Sequence, residues 1–383
     1  MLRRFIPLLL PGLLLVQCAP AGPVTSVPLP EKARIQKAAE PVVHTQAQLD
    51  AAFAGWAATA QNPINFRLEG ELKGKWRQLI SESTWGEYAR RCTTAFMETG
   101  QVSLTLEYRD YVRLRAALRD AAFRATLSAA EEQLLQQLEQ RTRQCLHPGM
   151  SDMQKALALH DALVRSSRYE AEGGCNIADI LRGGSGSCEA YSATLCVMLE
   201  IAGIPARVVT GSAGGPHAWN LVQLGGRWYH VDATWDDPVI GNGSRQELSH
   251  AYFCLSDAEI ARTHSWNRAA YPATGSGSAA YYRLTGTYFT SFDAYWRAAM
   301  AACRRGEKSF EGYLTTYGSP EKFQRNMQHA ATAATPRRLR WTGPDSPAGT
   351  VILTISVVLW AVLTFPMLSP EQAAPYEHRL EMA

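Results

Sequence analysis

The stretch from Cys188 to Ala202, CEAYSATLCVMLEIA, puts apolar residues on nearly every face of a helix, among them Ala190, Tyr191, Ala193, Leu195, Val197, Met198, Leu199 and Ile201. A helix with no polar face belongs in the centre of a domain, so the rest of the fold has to be built around it. Gly203 supplies its stop. Ahead of it, Gly184, Ser185, Gly186 and Ser187 make a flexible turn that leaves Cys188 at the mouth of the helix. Behind it follow three runs of strand character, ARVVTG, HAWNLVQL and GRWYHVDAT, the last two joined by the Gly225-Gly226 pair that suits a two-residue hairpin. The order predicts a buried helix followed by an antiparallel sheet. With 46 % apolar residues in 383 positions, the chain has ample material for the surrounding layers.

Upstream, TQAQLDAAFAGWAATA from Thr45 has a helical cap and helical spacing, while QVSLTLEY alternates Val102, Leu104, Leu106 and Tyr108 as a half-buried strand does. Ser128 with Glu131 reads as a capping box on a helix with much polar surface. Residues 45–147 are therefore expected to form an α+β or mainly helical region. Ser151 and Asp152 cap a further helix over MSDMQKALALHDALVRSSRYE, which opens a body, residues 148–335, that carries the chemistry. SDAEIARTH and SFDAYWRAAMAAC read as later capped helices.

The two ends carry targeting features. Arg3 and Arg4 precede the short apolar core FIPLLLPGLLLV, which describes an export signal over residues 1–18. Cys18 looks like a lipid-acceptor cysteine, and the Ala19–Ala21 segment offers an ordinary cleavage site instead. A proline-rich linker occupies residues 19–44. Residues 346–370 are uncharged, and AGTVILTISVVLWAVLTFPML is long enough to cross a membrane as a helix, although its Val, Ile and Thr content also suits a buried β segment. Together these place the body outside the cytoplasm, tethered through an N-terminal lipid, a C-terminal helix or both. A net charge of +3 without a long basic run argues against a nucleic-acid partner.

The chemistry follows from a register argument. If Gly225-Gly226 makes the hairpin turn, Leu224 pairs with Arg227, Asp232 falls opposite Trp219, and His217 opposite Thr234. His217 and Asp232 then project from one face as diagonal neighbours, about 7–8 Å apart at the backbone and bridgeable by an imidazole and a carboxylate. A thiol at a helix start loses its proton more readily because unpaired N–H groups and the dipole favour negative charge. Cys188, His217 and Asp232 thus supply a nucleophile, a proton shuttle and an orienting carboxylate for attack on an amide or ester carbonyl. His230 shares the ladder face of Asp232 and is a rival to His217. Trp219, Asn220 and Trp235 are read as shielding or positioning groups, although Asn220 alternates to the opposite face. Of the eight cysteines, Cys196 lies two helical turns past Cys188 and is most simply core. None of the familiar short-range ligand spacings is present, so neither a metal nor another cofactor is expected.

GSCEAY, HAWNLV and WYHVDATWDDP, in that order, resemble the catalytic blocks of the transglutaminase-like superfamily, papain-related thiol enzymes that include many bacterial surface proteins. The resemblance runs from about Met150 to Asp257 and takes in KALALHDALV and HAYFCLSD. It implies Cys188 as nucleophile, His217 as general base, which decides against His230, and Asp232 as orienting carboxylate. Tyr191, inside the first block, joins the supporting residues. No Gln or Trp precedes Cys188 closely enough to line an oxyanion hole, which leaves the Cys188 backbone N–H, with Tyr169 as a second donor. The resemblance implies an α+β fold in which the cysteine helix packs against the antiparallel sheet bearing His217 and Asp232, a peptide or protein substrate, and hydrolysis of an amide. Amine transfer in a crosslinking reaction and a non-catalytic surface module that binds peptide or cell wall are the alternatives.

Overall fold

In the computed structural model the described residues are 25–26, 41–97, 99–237, 239–240, 245–246, 248–275, 280–305, 309–315, 325–326, 338–342 and 350–356. The proposed export signal, Cys18 and nearly all of the linker lie outside them. The chain divides into two compact units, one of residues 15–246 with 264–274, the other of residues 1–14, 247–263 and 275–383.

In the first unit, helix α1 (Gln46–Ala58) is capped by the Thr45 side chain, which accepts the Gln48 N–H. A sheet follows in which β3 (Gln101–Tyr108) lies between β1 (Ile64–Leu68) and β2 (Ala89–Phe96). The alternation seen in the sequence is realised in β3, where Val102, Leu104, Leu106 and Tyr108 are the buried positions. Helices α2 (Asp110–Arg119), α3 (Ala129–Cys145) and α4 (Asp152–Ser166) come next. Both α3 and α4 begin with complete capping boxes, Ser128 with Glu131 and Ser151 with Gln154.

Helix α5 (Cys188–Ile201) is the buried element expected from its composition: every residue from Ala190 to Leu199 is buried. Its one acidic residue near the far end, Glu200, is held at 2.5 Å by both Arg115 and Arg119 of α2, so the exit of the helix is anchored by charge. On another side α5 meets a sheet ordered β6 (Arg227–Val231), β5 (Pro216–Leu224), β4 (Ala206–Ser212) and β7 (Ser265–Trp266). Asn220 of β5 ties the layers together by donating from Nδ2 to the Ser192 carbonyl at 2.9 Å. The hairpin turn has Gly225 at φ +55° and Gly226 at φ +78°, a pair of left-handed conformations that glycine adopts without steric penalty.

In the second unit, β8 (Ser309–Leu314) and β9 (Arg338–Thr342) flank β10 (Thr350–Ser356), both antiparallel to it. Helix α6 (Phe292–Arg304) packs Tyr295 against Phe310 of β8, ring centroids 5.5 Å apart. Glu311 accepts from the His250 backbone N–H, the His250 ring and the Tyr282 hydroxyl at 2.7–2.8 Å. This unit corrects one expectation. The front of the apolar run over 346–370, expected as a membrane-crossing helix, is strand at Thr350–Ser356; its β-branched residues favour the pleated backbone and give β10 two partners. The run beyond Ser356 lies outside the described residues. Among the described residues no helix is long and apolar enough to cross a membrane.

Candidate active site

The cysteine is positioned by the loop in front of α5. A π-helical turn at Asp179–Gly183 leads into Ser185–Gly186, which pairs in parallel with Arg168–Tyr169. The Ser187 N–H donates to Gly174 O at 2.9 Å, and the Glu170 N–H donates to Gly186 O at 3.0 Å. A Cβ at Gly186 would fall 2.8 Å from the Ala190 Cβ and 3.0 Å from Ile180 Cδ1, so only glycine lets the chain pass this closely beneath the helix. The result is a rigid entry to a half-buried Cys188, the first residue of α5. Next to it Glu189 is clamped by Arg109 at 2.7 Å.

His217 stands near the start of β5 and Asp232 just past the end of β6. The ladder has the register read from the sequence: Arg227 faces Leu224, and the pairing runs to Val231 opposite Asn220. It stops there, so the expected pairing of His217 with Thr234 does not form. The reason is local. Asp232 Oδ1 accepts the N–H groups of Thr234 and Trp235 at 3.0 and 3.1 Å, which turns the chain out of the strand and fixes the carboxylate. The other oxygen, Oδ2, lies 2.7 Å from His217 Nε2.

A carboxylate can only accept, so His217 Nε2 carries the proton of that bond and Nδ1 is the nitrogen left for the thiol. Cys188 is among the groups whose hydrogen bonding and charge act on the ring. Burial disfavours the imidazolium, but the charge and hydrogen bond of Asp232, followed by those of Cys188, outweigh it and raise the His217 pKa well above its ordinary value. Asp232 is buried completely, yet its charge interaction and hydrogen bond with His217, and then those with His264, hold its pKa below the usual carboxylate range. The arrangement favours a charge-separated pair that can give and take a proton beside a sulfur.

His264 carries no motif. It is 32 residues from Asp232, and no spacing in the sequence points to it; its Nε2 lies 2.9 Å from Asp232 Oδ2. With His217 it offers nitrogen atoms that, together with Asp232, lie within 4.8 Å of one another, a set of the size that holds a cation. The separations of 2.7 and 2.9 Å are those of charge-assisted hydrogen bonds.

The supporting residues separate into those at the thiol and those elsewhere. Tyr169 is half-buried; burial, and then the charges of Cys188 and Asp232, push its phenol up to about 12, so it faces the site as a neutral donor. Trp219 stacks on the His217 ring at 5.9 Å and donates its indole N–H to His230 Nδ1 at 2.9 Å. His230 is thereby occupied as an acceptor beneath the tryptophan. Trp235 closes the other side of His217 at 6.2 Å. Tyr191 is buried and donates to Asp237 Oδ2 at 2.5 Å, anchoring the helix. Asn220 points to Ser192, on the face opposite His217, as its alternation in β5 requires. Cys196 is core, and burial pushes its thiol up to about 11.

With this geometry in view, the comparisons with known proteins fall into place. Residues 139–233 match the transglutaminase-like superfamily, a span that contains Cys188, His217 and Asp232. The mouse kyphoscoliosis peptidase is 25 % identical over 158 residues, which is 36 % of this chain and 22 % of that protein. The human kyphoscoliosis peptidase is 33 % identical over 75 residues, 16 % of this chain and 11 % of that protein. The chain therefore spans less than a quarter of the length of these curated relatives. Among solved structures, a TGase is matched at TM-score 0.25 and 14 % identity over 59 % of this chain and 63 % of that one. A candidate cysteine protease from Cytophaga hutchinsonii is matched at TM-score 0.24 and 20 % identity over 39 % and 56 %. Superpositions at these scores carry no weight by themselves. The sequence match defines the class: residues 139–233 form a transglutaminase-like core of α+β fold. At the level of class, that core supports thiol-based enzyme chemistry.

Proposed function

We propose that the protein is a cysteine peptidase or amidase that cleaves a peptide or carboxamide bond by acyl transfer. The Cys188 sulfur attacks the carbonyl carbon, and His217 Nδ1 takes the thiol proton. The developing oxyanion is met by the backbone N–H of Cys188, which begins α5 and has no partner within the helix, with the Tyr169 hydroxyl as a further donor. His217 then delivers the proton to the leaving amine as the C–N bond breaks, which leaves a thioester on Cys188. Water attacks the thioester with His217 as base, releasing the acid and restoring the thiol. Throughout, Asp232 holds the imidazole in one tautomer and stabilises its cation.

The observation that carries this reading is the 2.7 Å bond from His217 to a fully buried Asp232, with Cys188 among the groups that act on the same ring. Hydrolysis is preferred to crosslinking because the relatives named above are called peptidases. The body, residues 148–335, is proposed to work outside the cytoplasm on peptide or protein substrates, following the export signal and linker read from the sequence. A disulfide at Cys175 agrees with an oxidising compartment. Substrate profiling against a Cys188→Ala control, scoring both amide hydrolysis and amine incorporation, tests the reading. Hydrolysis lost in the control is expected; equal rates in both proteins would remove the enzyme claim, and amine incorporation alone would convert it to a crosslinker.

A further inference from the structure

The reaction just described gives no role to the buried imidazole of His264. Its backbone is fixed immediately before β7, where Ser265 and Trp266 pair with Ser212 and Gly211 of β4. Its ring sits among those of Trp219 and Trp235, each 4.9 Å away, and His217 at 5.4 Å. The side chain is wholly buried, and its Nε2 reaches the same Asp232 oxygen that His217 uses.

We propose that His264 is a positioning residue for the thiol chemistry: by donating to Asp232 Oδ2 it fixes the carboxylate plane and limits how tightly that oxygen holds the His217 N–H. The proposal rests on the thiol reading above. Each carboxylate oxygen has two lone-pair directions. With His264 in one direction at Oδ2, His217 is restricted to the other, and this sets the angle of its ring toward Cys188. Rotation of the carboxylate would break the bonds from Thr234 and Trp235 at Oδ1 as well as both imidazole bonds at Oδ2. Four donors also spread the charge, so the pull on the His217 proton is tempered and the ring can release that cation's other proton, at Nδ1, to a leaving amine. Among the described residues, the titratable groups whose influence reaches this carboxylate include His217, His264 and Tyr169. The bond and charge of His264 are among the influences that keep Asp232 ionised.

The competing role for His264 is packing within the aromatic cluster, and two substitutions separate the two. His264→Phe keeps a ring among the tryptophans and removes the donor; His264→Gln removes the ring and keeps an N–H at comparable reach. The rate of Cys188 modification by iodoacetamide is measured against pH for each, with thermal unfolding alongside. His264→Phe is expected to slow modification about tenfold to hundredfold, because a carboxylate freed to rotate no longer holds the His217 ring at the angle that pairs it with the thiolate. It also moves the acidic limb toward neutral pH, because an Asp232 anion with one donor fewer titrates closer to its ordinary value. His264→Gln retains most of the rate and the original limb. A parental rate and limb in His264→Phe, or equal impairment in both variants, would overturn the proposal. If His264→Phe does not fold, His264→Leu serves as the variant without a donor. In a Cys188→Ala background, the His217 ring titration followed by NMR is expected to move to higher pH in His264→Phe; an unmoved titration counts against His264 whether or not the thiol is reactive. A parent protein whose Cys188 resists iodoacetamide at every pH would instead sink the thiol reading.

Discussion

Helix α5 carries two cysteines, and their surroundings differ in every respect that governs sulfur chemistry. Cys188 is the first residue of the helix, half-buried, at the end of a loop fixed by Gly186, and it acts electrostatically on the His217 ring. Cys196 lies two turns further in, completely buried, and its thiol is pushed up by burial to about 11. The residue type is the same and so is the helix. Position along the helix decides whether the sulfur meets free N–H groups and an imidazole, or is sealed in the core where burial outweighs the pull of Arg115. A buried thiol of this kind behaves as a small apolar group.

The largest effect that would break this comparison is expected at Asp232. Asp232→Asn replaces an acceptor with a group that can donate, removes the charge that holds the His217 cation and favours the wrong tautomer. Amide turnover should fall on the order of 10³–10⁴-fold, as for removal of a triad carboxylate. The sign of the pH effect follows from the shifts. The raised His217 pKa means that its cation stabilises the fold fully below the ordinary imidazole range, a contribution lost as pH climbs through the raised folded value. The lowered Asp232 pKa means that its anion contributes above the ordinary carboxylate range and is lost as pH falls through the folded value. Removing the Asp232 charge therefore lowers the His217 pKa, and the basic limb of the activity profile should move toward acid. A basic limb that stays in place would show that the two residues are not coupled.

A second test sharpens the contrast at the sulfurs themselves. Brief alkylation near neutral pH, read by peptide mass spectrometry, should modify Cys188 at least about tenfold faster than Cys196 or the buried Cys92, whose thiol burial also raises. Equal labelling would place Cys188 in the same class as the core thiols. The smallest effect is expected from Cys196→Ser, which puts a hydroxyl into the apolar interior of α5. It should cost about 1–3 kcal/mol in denaturant unfolding and leave turnover per folded molecule unchanged. A loss of turnover without a loss of stability would give Cys196 a role that packing does not explain.

Much of this could be read before any coordinates. The all-round apolar run specified a buried helix because no polar face was available to meet water. The Gly225-Gly226 pair fixed the register of β5 and β6, since a two-residue turn dictates which residues face each other, and from that register His217 and Asp232 could be placed on one face. Capping boxes at Ser128 and Ser151 were legible because they are local. The alternation of Val, Leu and Tyr likewise revealed β3. Where the reading stopped short, the cause was a contact with no local trace: β6 ends at Val231 because the Asp232 carboxylate captures two backbone N–H groups, and the Tyr191 hydroxyl is bound by Asp237.

The sequence by itself determined the central helix, the hairpin register and the placement of a thiol, an imidazole and a carboxylate on neighbouring elements, because these depend on periodicity and turn length. Only the tertiary structure decided that Asp232 serves two histidines and that Trp219 and Trp235 pack against both. It also decided that Thr350–Ser356 is a strand. Those outcomes depend on which distant segments supply donors and partners, and a hydrogen bond between residues far apart in the chain leaves no pattern in either neighbourhood.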